Sequence, residues 1–268
     1  MSKDQKQFVK IVGARRTCTN YITRLIYENF ENINFLSQSK HTPLDEYQKW
    51  LNDDPQWHFR AGHRESLTYI LDDRWSGKHD GLSQYNLGDI GCDPIFLPKS
   101  DIKEAYEDGR VKVIICIKNP YSWILSHSRW RGGNLPNCIN LEDCLAYNEF
   151  YLQPLLENVM DKSDKLVIRS EDCMYGDKGK MKETLEGFLN TEIKNDNLID
   201  FDENVATRDG NSSLDRSHYS QWNFLSDLKI GQVSGIGNCI NWDIFKNYGY
   251  EKINLVGINP AGNPLFKF

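Results

Sequence analysis

Cationic and hydroxyl side chains are concentrated in one short polar stretch near the start of the chain. Residues 14–20 read ARRTCTN and follow the apolar run 8–13, FVKIVG, which predicts a buried strand. Apolar residues then recur at helical spacing, at positions 22, 25, 26 and 30. A strand, a tight turn and a helix start aim backbone N–H groups at an anion, and arginine and threonine donate hydrogen bonds to phosphate or sulfate oxygens. We therefore predict a phosphate-binding loop here; an ordinary turn with surface arginines is the alternative.

A second stretch of the same kind follows the run 111–117, VKVIICI, which is the clearest strand in the sequence. Lys118 ends that strand, and Asn119 and Pro120 are a good N-cap and a good first residue for a helix. Ser126 follows two turns later, so that Lys118 and Ser126 could reach one phosphate from different sides. Two cationic strand ends in one sheet suit a ligand that carries two separated anionic groups.

Neither stretch is a Walker A sequence, which requires Gly-Lys followed by Ser or Thr. Because no hydroxyl follows a lysine in this way, neither stretch offers an obvious Mg²⁺ ligand. Hydrolysis of a nucleoside triphosphate is therefore disfavoured, and a P-loop nucleotide or small-molecule kinase is the second hypothesis.

Together the two stretches resemble the cofactor signatures of the sulfotransferases, which use 3′-phosphoadenosine 5′-phosphosulfate (PAPS). That family's 5′-phosphosulfate loop has the form Lys/Arg-Ser-Gly-Thr-Thr-Trp, and residues 16–21 read RTCTNY. Its 3′-phosphate motif has the form Arg-Asn-Pro-x-Asp-x-x-x-Ser, and residues 118–126 read KNPYSWILS. Residues 167–172, VIRSED, resemble a family strand that ends in Tyr-Glu-Asp, and residues 241–250 resemble a helix that ends in Leu-Gly-Tyr.

The resemblance implies transfer of a sulfuryl group in line from PAPS to a hydroxyl or amine, with 3′-phosphoadenosine 5′-phosphate (PAP) as product and no metal. Arg16 and the backbone of residues 17–20 would bind the 5′-phosphosulfate, and Lys118 and Ser126 the 3′-phosphate. The full set of implied cofactor-binding residues is Arg15, Arg16, Thr17, Cys18, Thr19, Asn20, Lys118, Ser126 and Arg216.

His41 is the candidate general base, because a neutral imidazole accepts a proton near neutral pH. Lys40 beside it could stabilise the bridging oxygen, and Arg16 is the third candidate catalytic residue through the phosphosulfate that it would hold. A turn histidine ahead of Pro43 is the plainer interpretation of His41. Three further residues are alternative bases: His58, His63 and Glu65.

The chain departs from the family pattern at several positions. Cys18 replaces Gly, Ser122 replaces Asp, and Lys118 offers a point charge where the family has an arginine fork. The family's Arg-Lys-Gly loop is absent, and residues 207–210 or 216–219 could serve in its place. A catalytically silent binding protein of the same fold is therefore the third hypothesis.

Strands that alternate with helices predict a three-layer α/β/α domain around a central parallel sheet, and the resemblance implies a P-loop NTPase-like sulfotransferase fold. We expect a single domain over residues 1–268, with ligands at the carboxyl ends of the strands. A loop-rich, aromatic insertion at about 44–98 would shape the acceptor site. A helix is predicted over 100–109, with Gly109 just past its end. Two further helical stretches, near 217–228 and 233–248, are predicted to finish the domain, with Gly249 as a helix stop.

Composition excludes several other functions. The 268 residues carry a net charge of −6, which argues against non-specific binding to nucleic acid or to an anionic membrane. No apolar run is long enough to span a bilayer and the N-terminus is polar, so we expect a cytosolic protein. The seven cysteines contain no Cys-x-x-Cys pair, which favours reduced thiols over a disulfide framework or a zinc site. The acceptor, whether a small molecule or a glycan, and the oligomeric state stay open.

Overall fold

The structure is a computed structural model that describes residues 7–14, 16–35, 81–83, 96–98, 104–130, 139–155, 163–194, 225, 227–258 and 264–267. Its strands are β1 (Gln7–Val12), β2 (Ile33–Phe35), β3 (Gly81–Ser83), β4 (Phe96–Pro98), β5 (Val111–Ile117), β6 (Asp164–Arg169), β7 (Asn254–Ile258) and β8 (Pro264–Lys267). Its helices are α1 (Thr19–Asn29), α2 (Pro120–Trp130), α3 (Glu142–Leu155), α4 (Ser170–Tyr175), α5 (Lys178–Leu189), α6 (Ile230–Cys239) and α7 (Trp242–Phe245), and a 3₁₀ turn follows at Lys246–Tyr248.

Four strands form a parallel sheet in the order β2-β1-β5-β6. Every residue of β1 and of β5 is buried, as expected for strands that are covered on both faces. The chain leaves β1 for β2 on one side and later enters β5 on the other side of β1. The gap between the carboxyl ends of β1 and β5 is therefore the topological switch point of the sheet, where ligands of such folds bind.

Side chains that alternate along the strands pack into two separate hydrophobic clusters, one on each face of the sheet. Val12 and Ile115 belong to the first cluster, which also holds apolar residues of α2, α3, α6 and α7. Ile11 and Ile114 belong to the second cluster, together with residues of α1, α4 and α5. The helix after β1 and the helix after β5 thus lie on opposite faces, and the loops that lead to them diverge from the switch point.

Several predicted boundaries are confirmed. The α2 helix begins at Pro120, and the Asn119 side chain accepts a hydrogen bond from Tyr121 N at 3.0 Å, as an N-cap does. The helical segment before β5 ends at Gly109, whose φ is 68°, and the last turn before Tyr250 ends at Gly249, whose φ is 76°. Both glycines adopt the left-handed conformation that ends helices, which most other residues disfavour.

Other expectations need correction. The stretch 233–248 was predicted to be continuous, but the helix breaks after Cys239, because the Asn241 side chain accepts a hydrogen bond from Asp243 N and so starts a new helix. The antiparallel pairs β3–β4 and β7–β8 were not predicted. Their strands have three to five residues, too few to show a periodic pattern. Most of the predicted insertion at 44–98 and of the stretch 217–228 lies outside the described residues.

The structure confirms an α/β protein with a parallel sheet and helices that pack against it. Among the described helices, none has both the length and the apolar character that crossing a bilayer requires.

Candidate functional site

The loop after β1 folds back tightly on itself. Thr17 donates to the carbonyl oxygen of Ala14 twice, from its backbone nitrogen at 3.2 Å and from its hydroxyl at 2.6 Å. A Cβ atom added to Gly13 would lie 2.6 Å from both Thr17 Oγ1 and Thr19 Cγ2. Gly13 is therefore the residue that allows this loop to close over the end of β1.

Arg16 and Cys18 both adopt the left-handed conformation, with φ values of 73° and 55°, on either side of Thr17. Cys18 is the N-cap of α1, and Ile22 N donates to its carbonyl oxygen at 3.0 Å. Its side chain makes no capping hydrogen bond to the first turn of the helix. The partial positive charge at this helix start is thus directed at the loop. The family that the sequence resembles has Gly at this position, which suits the observed backbone conformation.

The loop after β5 is equally well defined. Asn119 caps α2, and the hydroxyl of Ser122 donates to the carbonyl oxygen of Asn119 at 3.2 Å. Lys118 is partly exposed at the strand end, whereas Ser126 is buried one turn beyond Ser122. The cation therefore stands at the end of β5, and the second serine lies in the second turn of α2.

The two predicted anion-binding stretches meet in space. Arg16 Nε donates to Ser126 Oγ at 3.3 Å, across 110 positions of sequence. Strands β1 and β5 are neighbours in parallel register, with Val12 opposite Ile115, so their carboxyl ends lie at the same edge. Arg16 of the first loop and Ser126 of α2 therefore meet beside the switch point.

The Cys18 thiol lies among groups that form hydrogen bonds to it. The pKa of the Cys18 thiol lies well below its usual value, chiefly because the Cys116 and Cys173 thiols hydrogen-bond to it. A hydrogen bond from Ser170 and the positive charge of Lys118 act in the same direction, and burial opposes them. These contacts favour the thiolate form of Cys18 itself.

Residues 167–172 and 241–250, the other two stretches that resemble sulfotransferase sequences, also lie at this edge of the sheet. Glu171, the second residue of α4, accepts a hydrogen bond from Asn119 N at 2.9 Å and another from the Tyr250 hydroxyl. Arg169 donates to both carboxylate oxygens of Asp172 and to the carbonyl oxygen of Tyr248 at 3.3 Å. The loop after β5 is thereby fixed to β6, to α4 and to the segment that follows α7.

Several candidate residues lie outside the described residues. These are Arg15, Lys40, His41, Arg216 and the alternative bases His58, His63 and Glu65. The backbone of Asn20 is described within α1, but its side chain is not. Within the described ranges, no group of three or more His, Cys, Asp or Glu side chains has the geometry to hold a metal ion.

Sequence reasoning missed Tyr147 and Tyr151, whose hydroxyl groups bond to the backbone of both loops. Tyrosines four residues apart on a helix indicate a shared face, but the sequence does not show which groups their hydroxyls contact.

Comparison of the chain with protein-family models, with curated proteins and with solved structures gives no match.

Proposed function

We propose that this protein is a sulfotransferase that moves a sulfuryl group from PAPS to a hydroxyl or amine, within a P-loop-like sulfotransferase fold. The observation that carries the proposal is the meeting of two cationic strand-to-helix loops at the switch point, through Arg16 and Ser126. Such a site suits one ligand with two anionic groups, since each loop offers its own helix start and its own cation. PAPS carries a 5′-phosphosulfate and a separate 3′-phosphate.

The roles are those that the resemblance to the sulfotransferases implies. Arg16 and the backbone at the start of α1 would bind the 5′-phosphosulfate, while Lys118 and Ser126 would bind the 3′-phosphate. In the reaction, the acceptor oxygen or nitrogen forms a bond to sulfur, the bond between sulfur and the bridging oxygen breaks, and PAP leaves. The acceptor's proton passes to a base, for which His41 stays the candidate. The protein's part is to align the reactants and to stabilise charge on the leaving oxygen.

Calorimetry with PAP tests the binding site. We expect micromolar or tighter binding that does not depend on Mg²⁺. Replacing Arg16 or Lys118 with alanine should weaken binding by about tenfold or more, because a hydrogen bond to a charged group contributes about 1.5–3 kcal/mol. Lys246→Ala is the matched control, since Lys246 is an exposed lysine that pairs with Asp243 and should leave PAP binding unchanged.

Transfer of labelled sulfate from PAPS to a panel of hydroxyl and amine acceptors tests the reaction. Turnover that His41→Ala leaves intact would remove His41 as the base without removing the function. Failure to bind PAP, together with binding of ATP and Mg²⁺, would replace the proposal with a kinase-like activity. Tight PAP binding without transfer to any acceptor would indicate the silent binding protein instead.

A further inference from the structure

Two tyrosines of α3 form hydrogen bonds, through their hydroxyl groups, with the main chain at the two loops of the proposed site. The Tyr151 hydroxyl accepts a hydrogen bond from Ala14 N at 3.2 Å and donates to the carbonyl oxygen of Cys116. The Tyr147 hydroxyl accepts from Lys118 N at 3.2 Å and donates to the carbonyl oxygen of Lys118 at 2.8 Å. One helix face therefore holds the main chain of both loops.

The position of the Tyr151 hydroxyl coincides with the next step of the β1–β5 ladder. Phe8 N donates to the carbonyl oxygen of Arg110 at 3.1 Å, and hydrogen bonds between parallel strands are evenly spaced. Three two-residue steps along both strands lead to Ala14 N and to the carbonyl oxygen of Cys116. These are the two groups that the Tyr151 hydroxyl joins, so it stands between the strands where a direct backbone bond would otherwise form.

Both tyrosines are held rigidly. Their side chains are buried, and the Tyr147 ring stacks on Trp123 at 4.1 Å and on Phe245 at 5.3 Å between ring centres. The Tyr151 ring packs edge-on against Tyr147 at 4.8 Å. Burial raises the pKa of both hydroxyl groups, so they keep their protons and donate at neutral pH.

We infer that Tyr151 is a wedge that parts β1 from β5 at the switch point, and that Tyr147 and Tyr151 together set the separation of the two anion-binding loops. The two tyrosines are positioning residues, because their hydroxyl groups bond to the main chain that forms the loops. The inference rests on the proposed function only in naming that ligand as PAP; the wedge itself is a property of the sheet.

Phenylalanine substitution removes each hydroxyl and keeps the ring. In Tyr151→Phe the Ala14 amide loses its acceptor, and the ring that remains still holds the strands apart, so that the carbonyl oxygen of Cys116 cannot replace it. In Tyr147→Phe the Lys118 amide loses its acceptor. Hydrogen exchange at each of these amides should therefore accelerate about tenfold or more. This factor corresponds to about 1.4 kcal/mol, within the range for one hydrogen bond. Tyr121→Phe is the matched control, because the buried Tyr121 hydroxyl bonds to Ile253 N and to neither loop.

Nucleotide binding by the variants distinguishes a positioning role from a general loss of stability. Tyr151→Phe should weaken PAP about tenfold but adenosine 5′-monophosphate much less, since only PAP must reach both loops. Equal losses for the two nucleotides, or a loss no larger than that of Tyr121→Phe, would overturn the positioning role. An Ala14 amide that exchanges at its original rate or more slowly in Tyr151→Phe would overturn the wedge, whether or not the protein binds PAP. Absence of PAP binding by the wild-type protein would count against the proposed function and leave the exchange result to decide the wedge.

Discussion

Cys18, in the first loop, has an uncommon backbone conformation and a thiol whose pKa is lowered. Its backbone has φ 55° and ψ 15°, a left-handed conformation in which a residue other than glycine is uncommon. The residue is half-buried, and hydrogen bonds from the Cys116 and Cys173 thiols lower the pKa of its thiol. We therefore expect Cys18 to favour its thiolate form.

Alkylation with iodoacetamide measures this property, because the thiolate is the reacting form. We expect Cys18 to react faster at pH 7 than Cys239, which is also partly exposed. Since the pKa of Cys18 is lowered, its rate should rise with pH and reach its plateau below pH 9, the usual pKa of the thiol. Peptide mass spectrometry after timed quenching gives both rates. A Cys18 rate that rises only above pH 9 would contradict the lowered pKa.

At the scale of elements, α4 connects three parts of the chain through one carboxylate. Glu171 bonds to the amide of Asn119, at the start of α2, and to the hydroxyl of Tyr250, after α7. Asn119 and Tyr250 are 3% exposed, so water cannot easily replace the lost acceptor. The neighbouring carboxylate of Asp172 pairs with Arg169 at a much more exposed position.

We therefore expect Glu171→Ala to lower the free energy of unfolding by about 2–4 kcal/mol, because it leaves two buried donors without their acceptor. Asp172→Ala is the matched control on the same helix and should cost at most about 1 kcal/mol, as an exposed ion pair does. Glu171→Gln keeps an acceptor for Asn119 N and should lose less than the alanine variant. Urea unfolding at pH 7 measures all three. Equal losses in the two alanine variants would show that Glu171 is not the connecting residue.

At the scale of the whole molecule, the face of the sheet that carries α2 and α3 is rich in buried tyrosine hydroxyl groups. Burial raises the pKa of Tyr121 to about 12 and raises the pKa values of Tyr147, Tyr151 and Tyr250 as well. In the unfolded chain these groups ionise near pH 10. Above that pH the unfolded state binds fewer protons than the folded state, so the stability that the neutral hydroxyl groups contribute is lost as the pH rises.

Urea unfolding between pH 8 and pH 11.5 should accordingly show a constant midpoint up to about pH 9 and a steady fall above pH 10. Tyr121→Phe removes one of the groups responsible and should make that fall shallower. The variant also removes the bond to Ile253 N, so its midpoint should be lower throughout. A midpoint that holds through pH 11.5 would show that these hydroxyl groups ionise with equal ease in the folded and unfolded chains.

The local features of this protein could be predicted because neighbouring residues cause them. The apolar runs of β1 and β5, the Asn119-Pro120 helix start and the glycine stops at 109 and 249 depend on spacing, capping and backbone freedom within a few residues. The candidate loops followed from the same local rules. The resemblance to the sulfotransferases added an expected ligand, PAPS, and predicted which of the two loops would bind each of its anionic groups.

Other features depend on residues far apart in the chain. The strand order places β1 beside β5, Arg16 reaches Ser126 over 110 positions, and Tyr151 bonds to Ala14 over 137. No spacing rule predicts such contacts, because the free energy that selects them comes from packing α3 against the sheet and from satisfying backbone groups where the strands diverge. Sequence therefore predicts which loops could bind anions, and their distance from each other is a property of the folded sheet.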